Sequence, residues 1–158
     1  MKIANLFLAL ICCSRIFSQD NPVILHIDSV VYKINHSGLP EIRDSIFQDY
    51  KDLGLSMKTY MTMVKDGSEL KKYVNYVISV QQENGVSKQL TASTTFYFDQ
   101  NKFIKAEDFA TSEGKEMNFA WYFADGKCIY PEVVSERDEK RVGTLIAIAD
   151  GLTKAFPK

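Results

Sequence analysis

Tyr73-Val-Asn-Tyr-Val-Ile-Ser-Val80, then Glu83-Asn84-Gly85, then Leu90-Thr-Ala-Ser-Thr-Thr-Phe-Tyr-Phe98 reads as two β-rich runs joined by a hairpin turn. Asn-Gly between such runs is a strong hairpin signal, because both central residues of a type I′ turn need positive φ. The pattern continues with a turn at Asp99-Gln-Asn101 and a strand through Phe103 to Phe109. A turn at Ser112-Glu-Gly114 follows, then a strand from Met117 to Phe123, and Asp125-Gly126 before Lys127 to Tyr130. Upstream, Leu55, Met57, Thr59, Met61 and Met63 alternate, and Asp66-Gly67 turns that run toward Leu70. The spacing predicts an antiparallel meander of five or six strands.

A period of two places alternate residues on opposite sides of a sheet. Val74, Tyr76, Ile78, Val80, Leu90, Ala92, Thr94, Phe96, Phe98, Met117, Phe119, Trp121 and Phe123 are expected on a greasy face, to be covered by the helical segments at both ends of the chain. Tyr73, Asn75, Thr95, Tyr97, Asn118 and Tyr122 are expected together on a wet face. Tyrosines among Ser, Thr and Asn can form an amphipathic binding platform, since each ring has an apolar body and a polar tip. The plainer reading is that Thr and Tyr are good strand residues on a solvated surface.

Two helices flank the meander. Asn21-Pro22 suits a helix start, and Val23, Ile27, Val30, Val31 and Ile34 recur at three- and four-residue spacing until Ser37-Gly38. Ile42, Ile46, Tyr50 and Leu53 suggest a second short helix, although Ile42, Asp44, Ile46 and Gln48 also fit an exposed strand. Near the C-terminus Ser135 is an N-cap candidate for a long helix whose stripe is Val142, Leu145, Ala149, Leu152 and Phe156. The expected class is therefore α+β: one or two N-terminal helices, the meander, and a long C-terminal helix on one face.

Residues 1–18 read as a signal peptide, with Lys2, a short apolar core to Ile11, and cleavage after Ser18. The ending Ile16-Phe-Ser-Gln19 resembles processing sites of exported bacterial envelope proteins. Residues 19–158 then form a single domain, periplasmic or secreted. Lipidation at Cys12 or Cys13 competes, but Ile11 and Cys12 are poor matches to the small residue that such processing needs. The whole chain has 19 basic and 20 acidic residues, and losing Lys2 and Arg15 takes the net charge from −1 to −3. A mildly acidic chain without a basic stripe does not suit nucleic acid. No later apolar run reaches membrane-spanning length.

The chemistry-bearing residues are sparse. Cys128 is alone in the processed chain, and His26 and His36 lack a metal-ligand spacing. Met57, Met61 and Met63 share parity, which suits either soft-metal binding or core filling. The acid pairs Glu107-Asp108 and Glu113/Glu116 are interleaved with Lys102, Lys105 and Lys115, as on a solvated edge. No nucleophile elbow or phosphate loop is present, so no catalytic residue, metal or cofactor is assigned.

The helix–meander–helix order resembles small exported α+β modules of the cystatin-like, nuclear-transport-factor-like and inhibitor-like kinds. The resemblance covers most of the processed chain and implies a long helix packed on a curved sheet. The functional expectation is a non-enzymatic binding module of the cell envelope with a protein or glycan partner. The alternative is a cavity protein for a small apolar ligand or substrate, and a lined void of several hundred Å³ is what distinguishes it.

Overall fold

The computed structural model describes residues 21–83 and 85–156. The expected leader, its cleavage site, Cys12, Cys13 and Asn84 of the first hairpin lie outside the described residues. The protein is α+β. Helix α1 (Pro22–Asn35) precedes strands β1 (Glu41–Tyr50), β2 (Leu55–Asp66), β3 (Glu69–Glu83), β4 (Val86–Asp99), β5 (Lys102–Ser112), β6 (Lys115–Ala124) and β7 (Lys127–Tyr130). Helix α2 (Glu136–Ala155) ends the described chain. The seven strands form one antiparallel sheet in sequence order. No helix among the described residues is long and apolar enough to cross a membrane.

Local chemistry accounts for the boundaries. Asn21 Oδ1 accepts the Val23 amide at 3.0 Å, and Pro22 stands at the first helical position, where its missing N–H costs nothing. Ser135 Oγ accepts the Asp138 amide at 3.1 Å and starts α2. The turns after β4, β5 and β6 put Gln100 and Asn101, Glu113 and Gly114, and Asp125 and Gly126 at positive φ. Those paired left-handed residues give tight hairpins whose twist matches the strands.

Seven strands replace the expected five or six because residues 41–50 extend rather than coil. The three- and four-residue spacing of Ile42, Ile46, Tyr50 and Leu53 gives a helical stripe nothing to pack against. The same residues as a strand pair without a bulge along β2, from Glu41 opposite Val64 to Tyr50 opposite Leu55.

The two helices cover opposite faces of the sheet. Helix α2 sets Leu145 and Ala149 against Phe96, Phe98, Trp121 and Phe123, as the greasy-face reading expects. Helix α1 does not join it there. Its buried stripe of Ile24, Ile27, Val31 and Ile34 lies on Tyr97 and Tyr122, on the face expected to be wet. Both packed clusters occupy the half of the sheet that carries the β2–β3, β4–β5 and β6–β7 turns. In the other half Leu90, Met117 and Phe119 remain exposed on the α2 face, and Phe47 on the opposite face.

That division is testable by truncation. Phe123, 1% exposed, is expected to cost about 3–5 kcal/mol as Phe123→Ala. Phe119, 58% exposed, is expected to cost under about 1 kcal/mol as Phe119→Ala. Denaturant melts giving the two variants equal losses would contradict the assignment of covered and open halves.

Candidate functional site

The strand register orders the α2 face into rows that run across the sheet. The first row, Met63–Tyr73–Phe96–Ala106–Trp121, is large and apolar and lies in the packed core. Next comes Met61–Asn75–Thr94–Asp108–Phe119, whose centre is polar. The third row is Thr59–Val77–Ala92–Ala110–Met117. Two facing alanines leave its middle low, between a valine on one side and a methionine on the other. The result is an open groove of about 850 Å³, floored by the second and third rows and walled by the first turns of α2.

Asp108 anchors the wall. Its Oδ1 accepts from Thr94 Oγ1 at 2.8 Å and from Arg141 Nη2, and its Oδ2 accepts from Trp121 Nε1 and from Arg141 Nε, each at 3.0 Å. Arg141 Nη2 also donates to Thr94 Oγ1 at 2.9 Å. A carboxylate has about four acceptor sites, and these four donors fill them. The forked guanidinium matches the carboxylate in the manner that suits arginine over lysine. Asp108 therefore fixes the start of α2 to the sheet and is not a spare acid or base.

The rest of the groove is apolar below and polar at the rim. Phe119 and Trp121 stack, with centroids 6.0 Å apart at 23°, and Met117 beside them is exposed. On the rim Lys140 pairs with Glu136 at 2.7 Å, whereas Arg137 makes no ion pair among the described residues.

The opposite face carries a second charged cluster, which fastens α1. Lys105, 6% exposed, donates to Asp28 Oδ1 and pairs with Glu107 Oε1, each at 2.9 Å, and lies over the Tyr122 ring. Burial alone pulls its ammonium down, but the bonds to Asp28 and Glu107 outweigh this and raise its pKa. The Tyr122 hydroxyl donates to Asp28 at 3.0 Å, and Tyr97 donates to Glu107 at 3.1 Å. Burial pushes the Tyr97 hydroxyl up to about 12, with Glu107 adding to the rise. Asn35 Nδ2 at the end of α1 donates to the Tyr97 hydroxyl at 3.4 Å, so both phenols bond to the helix.

The six expected platform residues do not share one face. Tyr73 packs beside Phe96 in the α2 core, and Asn75 lines the groove. Tyr97 and Tyr122 are 2% and 9% exposed beneath α1. Thr95 and Asn118 line a smaller hollow of about 470 Å³ on the α1 face, next to Glu107 and Ala120. The cause is the phase of β3: Tyr73 stands opposite Phe96 and Val77 opposite Ala92, so its odd residues face α2 and its even residues face the other way. Both parities of 73–80 carry apolar residues, which leaves that phase open in the sequence.

Glu107 and Asp108, adjacent in sequence, likewise point to opposite faces and form no carboxylate pair. Cys128 is half-buried, and its thiol is pushed up by burial, which keeps it from acting as a ready nucleophile. No cluster of three His, Cys, Asp or Glu that could hold a metal exists among the described residues. Compared with known protein families, with curated proteins and with solved structures, the chain matches none.

Arg141 is the residue whose loss tests this wall. Arg141→Met keeps an unbranched stem but strips Asp108 of its counter-charge. It is expected to cost about 2–4 kcal/mol and to change the emission of Trp121. A loss below about 0.5 kcal/mol in chemical denaturation would show that the cluster does not hold α2.

Proposed function

We propose that this protein is a non-enzymatic binding protein whose α2-face groove holds a small amphiphile. The apolar body lies on Val77, Ala92, Ala110, Met117 and Phe119, and the polar end meets the rim at Arg137. The observation that carries this reading is the groove itself: about 850 Å³, within the ordinary range of ligand sites, with apolar residues left bare on its floor. Exposed aromatic and thioether side chains lining a concavity are the usual mark of a site that receives something apolar.

Binding fits better than catalysis because the groove's central carboxylate has every acceptor site occupied by the protein. At the rim Ser135 and Thr144 are engaged with α2's own first turns, whereas the exposed guanidinium of Arg137 is suited to recognising a head group. The cell envelope is the proposed setting, on the strength of the cationic and apolar pattern of residues 1–18. A platform for a protein or glycan on the α1 face is less well supported, since Tyr97 and Tyr122 already serve α1.

Trp121 is the single tryptophan of the chain and borders the groove, stacked on Phe119, so its fluorescence is a direct reporter. Titration with decanoate and with decanol is expected to change its emission saturably. Phe119→Asp should abolish the response, and Phe47→Asp on the opposite face should leave it intact. Decanoate binding more tightly than decanol, with the difference removed by Arg137→Gln, would place the head group at Arg137. A response unaffected by Phe119→Asp would rule out the groove as the binding site.

A further inference from the structure

The two edges of the sheet are unlike. Strand β7 is four residues long, its pairing shifts register between Tyr122 and Phe123, and Pro131 follows it. Shortness, irregularity and proline are the devices that keep an edge from recruiting another strand. Strand β1 is neither short nor irregular, and its one neighbouring proline, Pro40, stands just ahead of it. It runs for ten residues, pairs with β2 without a register shift, contains no proline or lysine, and is exposed along its whole length. Ile46 is 50% exposed and Phe47 65%. Among the described residues no strand pairs its outer backbone groups.

The charges along β1 identify its occupant. Two copies related by a twofold axis through the sheet must pair antiparallel, with partners that lie on the same side of the sheet. Centring that axis on Ile46 sets Ile46 against its own copy and Ile42 against Tyr50 of the second copy. In the same register Asp44 meets Gln48, Ser45 meets Phe47, and Arg43 meets Asp49. Each contact off the axis occurs twice, the Ile46 pair once, and none joins like charges. Lys51, the first residue after the strand, follows at the position opposite Glu41.

Neighbouring registers lose this match. Centring on Ser45 sets Glu41 against Asp49, and centring on Phe47 sets Arg43 against Lys51. Cross-strand opposite charges stabilise and like charges destabilise, so the sequence of β1 selects one register. Among the described residues of one chain Arg43 pairs only with its neighbour Glu41, and its side chain is largely exposed. Both helices pack away from β1, their buried stripes lying on β3 to β6.

We propose that the protein forms a twofold-symmetric dimer by antiparallel pairing of β1 with β1 of a second copy, centred on Ile46, giving a continuous fourteen-stranded sheet. The groove plays no part in this pairing, so its failure and that of the binding proposal are separable.

Sedimentation of the purified protein over a concentration series tests it. The wild type is expected to show a monomer–dimer equilibrium. Arg43→Asp and Asp49→Arg each convert two attractive contacts into repulsive ones. Each is expected to weaken the dimer on the order of tenfold or more, with the thermal melt of the monomer unchanged. An equimolar mixture of the two variants restores opposite charges at both contacts and is expected to recover the dimer as a heterodimer. A wild type that stays monomeric throughout, or variants that dimerise as well as the wild type, would overturn the proposal. A mixture no better associated than its components would do the same.

Discussion

One sheet of long strands has more apolar surface than two helices can cover, and the architecture follows from how that shortage is distributed. Strand β3 has fifteen residues, a span of about 50 Å, whereas α2 with twenty residues reaches about 30 Å. Each helix therefore closes one face of the same half of the sheet. Phe96, Phe98 and Phe123 are sealed on one side, and Tyr97 and Tyr122 on the other. The remaining half keeps Leu90, Met117 and Phe119 bare, and with them the groove.

Two charged clusters set where the coverage stops. Lys105 with Asp28 holds α1 at the Tyr97–Lys105–Tyr122 row, and Asp108 with Arg141 holds the start of α2 one row beyond the core. In each pair, removing one member alone leaves the other charge partly desolvated and unpaired. Asp108 in addition gathers Thr94 and Trp121, so the floor and wall of the groove are fixed together. The open face above it is then a consequence of where the anchors sit.

Much of this was legible in the residues. Asn21-Pro22, Ser135 and the Asp-Gly turn signal the correct element boundaries, and the Phe96/Phe98 and Trp121/Phe123 alternation identifies the face that α2 covers. Where both parities of a strand are apolar, as in Tyr73 to Val80, the alternation carries no phase, and only pairing with β4 sets it. The anchors left a trace that periodicity alone passes over. Arg141 lies on the stripe that continues to Leu145 and Ala149, and Asp28 lies among Ile24, Ile27 and Val31. A charge on an otherwise buried stripe signals a specific partner across the interface, but not which residue supplies it. Residues 41–50 were ambiguous because the helical and strand patterns coexist there, and the available edge of β2 decides between them.

The central claim is that the groove beside Asp108 and Phe119 is made to be filled. Native mass spectrometry of the protein gently isolated from its own source, compared with the denatured chain, tests this most directly. The account predicts an added mass of a few hundred daltons, on the scale of one drug-sized ligand, that is lost on denaturation and absent from Phe119→Asp. Identical masses in the native and denatured states, for protein whose Trp121 emission also ignores added amphiphiles, would contradict it.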